Sequence, residues 1–130
     1  MTAAAVGVVL ALVVGLFARV VGLDRDRAFY PTVLAVIASL YNLFAVMGGS
    51  TRALMSELTG TAVFLVAVVV GFKRSLWVVA AGLFGHGVFD FFHARLINDP
   101  GVPAFWPAFC GAYDVTAAAW LAVMLLRSRR

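Results

Sequence analysis

Apolar residues run almost unbroken through five stretches of this chain, and the polar residues collect in the gaps between them. The pattern predicts helices over residues 2–22, 29–47, 52–72, 76–97 and 105–126. Each stretch is as long as, or longer than, the ~18 apolar residues that mark a bilayer span. The breaks carry their own chemistry. Asp24-Arg25-Asp26-Arg27 closes the first stretch, and Pro31 falls in the first turn of the second, where its missing N–H costs nothing. Gly48-Gly49-Ser50-Thr51 makes a turn and offers an N-cap, and Lys73-Arg74-Ser75 makes a tight hairpin. Asn98-Asp99-Pro100-Gly101-Val102-Pro103 is strong turn chemistry, and Pro107 then sits in the first turn of the last stretch.

Composition agrees with that pattern. Of 130 residues, 64% are hydrophobic and 12% are charged. Soluble domains carry about 25% charged residues. The expected architecture is all-α: a polytopic membrane bundle of five transmembrane helices, one integral membrane domain over residues 1–130. The apolar run from Ala3 to Val21 is longer than the core of a signal peptide and lacks a basic leader, so it reads as an uncleaved first span. Cys110 is the one cysteine, which excludes an internal disulfide.

The net charge of +4 resides mostly at segment ends. Arg19, Arg25, Arg27, Lys73, Arg74, Arg127, Arg129 and Arg130 fall on one side, and Arg52 and Arg95 on the other. Under the positive-inside rule this predicts N-terminus out and C-terminus in, in a multi-pass protein of the cytoplasmic (inner) membrane. Trp77 and Trp120 then belong to the inner interface and Trp106 to the outer one. No aromatic–basic surface pattern exists, so nucleic acid is not an expected partner, whereas membrane lipids are. The first span carries Gly7-xxx-Ala11-xxx-Gly15, continued by Ala18 and Gly22. Such a small-residue face suits either packing within the chain or a homodimer seam through Gly7, Ala11 and Gly15.

Charge inside the spans is the informative exception. Asp24, Asp26 and Asp99 fall in loops, while Glu57, Asp90 and Asp114 fall in spans, at a cost of a few kcal/mol each on insertion scales. His86, Asp90 and His93 follow one another at spacings of four and three, which places them in one stripe of the fourth helix. At 1.5 Å per residue, Asp90 lies about 6 Å and His93 about 10 Å further out than His86, near the midplane. Glu57, Asp114, Cys110 and Asn42 fall into the same outer layer. Gly82, Gly85 and Gly87 beside the stripe imply close helix contact or an open cavity.

Imidazole nitrogens with carboxylate oxygens suit a divalent ion such as zinc, which would also offset the buried negative charge. His86, Asp90 and His93 are the candidate metal ligands, and Glu57 and Asp114 the candidate catalytic base or further ligands. Asn42, Trp106, Cys110 and Tyr113 are candidates for contacting a substrate, in an outward cup walled by Phe84, Phe89, Phe91 or Phe92, and Phe109. Each also has a plainer role. Asn42 can bond a neighbouring helix, Cys110 can pack as a small hydrophobe, Tyr41 and Tyr113 can be packing aromatics, and His93 can pair with Glu57 or Asp99. The spacing is not that of a zincin, and Ser39 cannot be built into a triad.

Three functions use these residues. The first is a metal-dependent hydrolase acting on an amphiphilic or lipid-like substrate. The second is a proton- or cation-coupled transporter or channel. The third is a non-catalytic ligand-binding or assembly subunit.

Overall fold

The structure is a computed structural model and describes residues 2–128. Among the described residues it is all-helical, with α1 (Ala3–Val21), α2 (Phe29–Met47), α3 (Thr51–Lys73), α4 (Leu76–Leu96) and α5 (Trp106–Arg127). All five are long and apolar enough to cross a membrane, and every boundary falls within one residue of the expected one. Arg129 and Arg130, counted with the basic flank above, lie outside the described residues.

The ends are set by the residues the breaks supplied. Thr2 and Ser50 accept hydrogen bonds from the amides of Ala5 and Ala53, each at 3.1 Å, and so cap α1 and α3. Gly22 stops α1 in the left-handed region at φ 93°, with its own amide and that of Leu23 bonded back to the Ala18 carbonyl. A side chain would be strained there. The Arg27 guanidinium reaches the free carbonyls of Gly71 and Phe72 at the end of α3, which pins the α1–α2 loop to that helix. Pro107 occupies the start of α5, where no helical hydrogen bond is lost.

Short connections make the helices alternate in direction. One end of the bundle therefore bears Thr2, the α2–α3 turn and the α4–α5 loop; we call it the loop end. The opposite end bears the α1–α2 loop, the α3–α4 turn and Ser128. Arg52 and Arg95 lie towards the loop end and the other described basic residues towards the opposite end.

α4 touches α2, α3 and α5, whereas the packing of α1 is against α5. The core between α2, α4 and α5 holds Leu34, Leu83 and Leu121, each fully enclosed, with Val79, Ala117 and Ala118 around them. Glycine brings backbones together at the places that matter. A Cβ on Gly87 would press on Val115, Asp114 and the Gly111 carbonyl, so α4 and α5 meet there backbone to backbone. A Cβ on Gly101 would fall on the Phe44 carbonyl, so the α4–α5 loop lies directly on the end of α2. The outward faces are apolar: Phe17, Val20, Val63, Val66 and Phe91 are all more than half exposed, as suits helices whose solvent is lipid.

The Gly7–Ala11–Gly15 face is taken up inside the chain. All three residues are buried, and Cβ atoms on Gly7 and Gly15 would meet the Phe109 carbonyl and the Trp120 ring of α5. The small residues thus pack α1 closely on α5 within the bundle.

Candidate functional site

The α4 stripe is buried as its spacing requires: His86, Asp90 and His93 are at most 2% exposed, and so are Glu57 and Asp114. What the stripe faces divides it in two. Towards the bundle middle, His86 meets α5. Its Nδ1 lies 2.7 Å from Asp114 Oδ2 and 3.5 Å from Asp90 Oδ2. With carboxylate oxygens on that side, Nδ1 carries the hydrogen in this arrangement and donates to Asp114. Cys110, one turn before Asp114, places its sulfur 3.8 and 3.9 Å from the two Asp114 oxygens. The Gly87–Gly111 contact makes this possible, because it brings the α5 backbone close enough for Asp114 to reach α4.

Nearer the loop end, His93 meets α3. Its Nε2 lies 2.8 Å from both oxygens of Glu57, a forked contact between buried groups. Asp99 joins them from the α4–α5 loop. One Asp99 oxygen accepts from the Gly101 amide at 3.1 Å, while the other is buried without a hydrogen bond.

Tyr41 of α2 connects the two groups. Its hydroxyl donates to Asp90 Oδ1 at 2.6 Å, and its ring lies flat on His93, with centroids 3.9 Å apart and planes 5° from parallel. Phe64 and Phe89 close around the histidines, with Phe64 edge-on to His86 at 4.6 Å and Phe89 edge-on to His93 at 5.4 Å. The polar residues therefore form one chain of contacts, Glu57–His93–Tyr41–Asp90–His86–Asp114, walled by aromatic rings.

Among the described residues, two groups have donor atoms within 4.8 Å of one another: His86, Asp90, Cys110 and Asp114, and separately Glu57, His93 and Asp99. Either could hold a metal ion. The expected ligand set of His86, Asp90 and His93 is thus split, since His93 turns towards Glu57 rather than sharing a centre with Asp90. In the first group Asp90 Oδ2 is buried, accepts no hydrogen bond, and faces the same nitrogen as Asp114. Tetrahedral zinc with bonds of about 2.0–2.3 Å keeps its ligand atoms about 3.3–3.8 Å apart. The 3.5 Å from His86 to Asp90 matches that, whereas the 2.7 Å from His86 to Asp114 is a hydrogen bond that an ion would have to open.

Several expected substrate contacts lie elsewhere. Asn42 donates to Thr61 at 3.0 Å, and Thr61 donates to the Ala38 carbonyl at 2.9 Å, so Asn42 ties α2 to α3. Trp106 is engaged by Phe44, edge-on at 4.9 Å, and by Phe109 at 5.5 Å. Tyr113 lines a shallow hollow with Phe29, Val33 and Val36. Phe84, Phe91 and Phe92 are about half exposed and face outward, so they do not wall a cup. A polar cavity of about 380 Å³ does open at the loop end, lined by Ser50, Arg52, Ala53, Ser56 and the 96–98 segment. Ala53 and Ser56 flank Glu57 on α3, and Ile97 follows His93 by one turn on α4.

Tyr41 is the member that residue pattern alone underrates, since its spacing is that of an ordinary core aromatic. Replacing it with phenylalanine keeps the ring on His93 and removes only the bond to Asp90. A loss of about 1.5–3 kcal/mol is expected, measured as equilibrium unfolding in detergent, the usual worth of a hydrogen bond to a charged acceptor.

No family model, curated protein or solved structure matches this chain.

Proposed function

We propose that this is a membrane metalloprotein whose His86, Asp90 and Asp114, with Cys110, hold one divalent ion of the zinc class. One observation carries the reading: four ligating atoms of the right chemistry converge within 4.8 Å, and one of them, Asp90 Oδ2, is buried with no hydrogen bond. A buried carboxylate oxygen whose nearest donor, His86 Nδ1, stands off at 3.5 Å is poorly satisfied, and a cation would answer it. The ion and the His86 Nδ1 proton compete for one nitrogen, so binding releases that proton.

The activity this arrangement supports best is metal-assisted hydrolysis of an amphiphilic substrate. Hydrolysis needs an open position on the ion, which is left when His86, Asp90 and Asp114 are its three protein ligands and the Cys110 thiol stands back. An ion held so would supply Lewis-acid stabilisation of a carbonyl or phosphoryl oxygen. Glu57, paired with His93 beside the loop-end cavity, is placed to take up a proton, and Tyr41 links that pair to Asp90. The bias of basic residues supports reading the loop end as the outer face of a cytoplasmic membrane. A second reading, proton- or cation-coupled transport, is favoured by the unbroken chain of contacts from Glu57 to Asp114, since stacked carboxylates and histidines are the usual parts of a relay.

Elemental analysis of detergent-purified protein, as isolated and after reloading with zinc, tests the metal. One ion per chain is expected, lost in Asp114→Asn and retained in Glu57→Gln. A chain that holds no ion in either preparation sinks the proposal. Proton flux in liposomes that disappears in Glu57→Gln while the ion stays bound would favour the transport reading over hydrolysis.

A further inference from the structure

A further cavity lies at the end of the bundle opposite the loop end. It encloses about 730 Å³ between α1, α5 and the α1–α2 loop. Its walls are apolar and include Leu12, Leu16, Trp120 and Val123. Its rim is charged with both signs: Arg19, Arg27 and Arg127, and Asp24 and Asp26. From Arg19 to Leu12 the wall descends seven residues of helix, about 10 Å towards the bilayer middle at 1.5 Å per residue. Leu16 and Val123 are about half exposed to the lipid side, so the cavity opens sideways as well as at the end.

Asp24 decides the ligand's chemistry. Its side chain is 1% exposed, and neither carboxylate oxygen accepts a hydrogen bond. Arg19 approaches only to 3.9 Å and is itself 64% exposed. Asp26 is partly engaged, accepting from the Ala28 amide at 2.9 Å, and Arg27 is spent on the α3 carbonyls. That leaves a buried carboxylate lacking a donor, beside Arg19 and Arg127, with a greasy channel below. A purely anionic head would meet Asp24 unfavourably. A head carrying both an N–H cation and a phosphate meets both needs.

We infer that this cavity is a binding site for one phospholipid with a primary-ammonium head. The ammonium donates to Asp24, the phosphate lies against Arg19 and Arg127, and an acyl chain runs along Leu12, Leu16 and Val123. The site is independent of the metal centre. Choline lipids are excluded from the Asp24 contact, because a quaternary ammonium has no N–H.

The test is reconstitution of the full chain into vesicles of equal parts dioleoyl phosphoethanolamine, phosphocholine and phosphoglycerol, followed by mild extraction and native mass spectrometry. One retained ethanolamine lipid per chain is expected, preferred about tenfold over either alternative, the worth of one charge-assisted hydrogen bond. Asp24→Asn should level ethanolamine with choline, and Arg127→Gln should weaken retention of all three. Retention without headgroup preference, or a preference unchanged in Asp24→Asn, overturns the assignment. So does soluble phosphoethanolamine displacing the lipid at equal concentration, which would mean that the apolar channel contributes nothing. If Asp24→Asn does not elute as a single species, the three-lipid preference of the unaltered chain decides alone.

Discussion

Replacing His86 with alanine is expected to destabilise the protein by about 3–5 kcal/mol, the cost of stripping a buried charge of its partner. Both Asp114 and Asp90 turn an oxygen to His86 Nδ1, at 2.7 and 3.5 Å, and both are wholly enclosed. Without the imidazole, Asp114 keeps only the weak Cys110 thiol at 3.8–3.9 Å, and Asp90 keeps Tyr41 on its other oxygen. The reading is made by equilibrium unfolding in detergent. A companion separates lost pairing from lost volume: His86→Ala with Asp114→Leu removes the stranded carboxylate and should recover much of the loss, because a pair replaced by apolar groups is often neutral. Equal instability of the single and double variants would show that the ion pair is not what the fold depends on there.

The second large effect concerns α1. Gly7→Ala places a methyl group on the Phe109 carbonyl oxygen and beside the Tyr113 amide, and backbone atoms cannot turn aside as a side-chain tip can. We expect a loss of about 1–3 kcal/mol for alanine and more for leucine, in line with overpacking elsewhere. The proposed metal site supplies the discriminating readout. Its proposed ligands come from α4 and α5, and its Tyr41 contact from α2, so on that proposal Gly7→Leu should lower the unfolding midpoint while ion content per chain stays unchanged. Parallel loss of the ion would mean that α1 holds the site together.

The fold was legible because bilayer spans announce themselves: a run of apolar residues, a cap such as Ser50, a charged break such as Asp24-Arg25-Asp26-Arg27. The α4 stripe was legible too, since residues four and three apart share a helix face whatever surrounds them. Its partition was not. Whether His93 turns to Asp90 or to Glu57 depends on how α3 lies against α4, a tertiary matter that helical periodicity does not encode. Asn42 and Tyr41 make the same point from opposite sides. Both are polar residues of α2, adjacent in sequence, yet a 100° step aims one at Thr61 and the other into the cluster. The half-exposed Phe84, Phe91 and Phe92 show that an aromatic beside a polar stripe in a membrane helix faces lipid as readily as a pocket.

The two-residue link between α3 and α4 has a consequence for how the chain reaches its membrane. The helix with most of the buried polar groups, α4, is the least apolar of the five, and it follows α3 almost without pause. As the chain is made from its N-terminus, α2 and α3 emerge first, already carrying Tyr41 and Glu57. The carboxylate and imidazoles of α4 can then enter as half of a hairpin whose other half supplies the Glu57 partner, never alone in hydrocarbon. Asp114, on the last helix made, meets His86 already in place. On this order of insertion, lengthening the Arg74–Ser75 link should impair membrane integration of α4 before it disturbs any contact in the finished bundle.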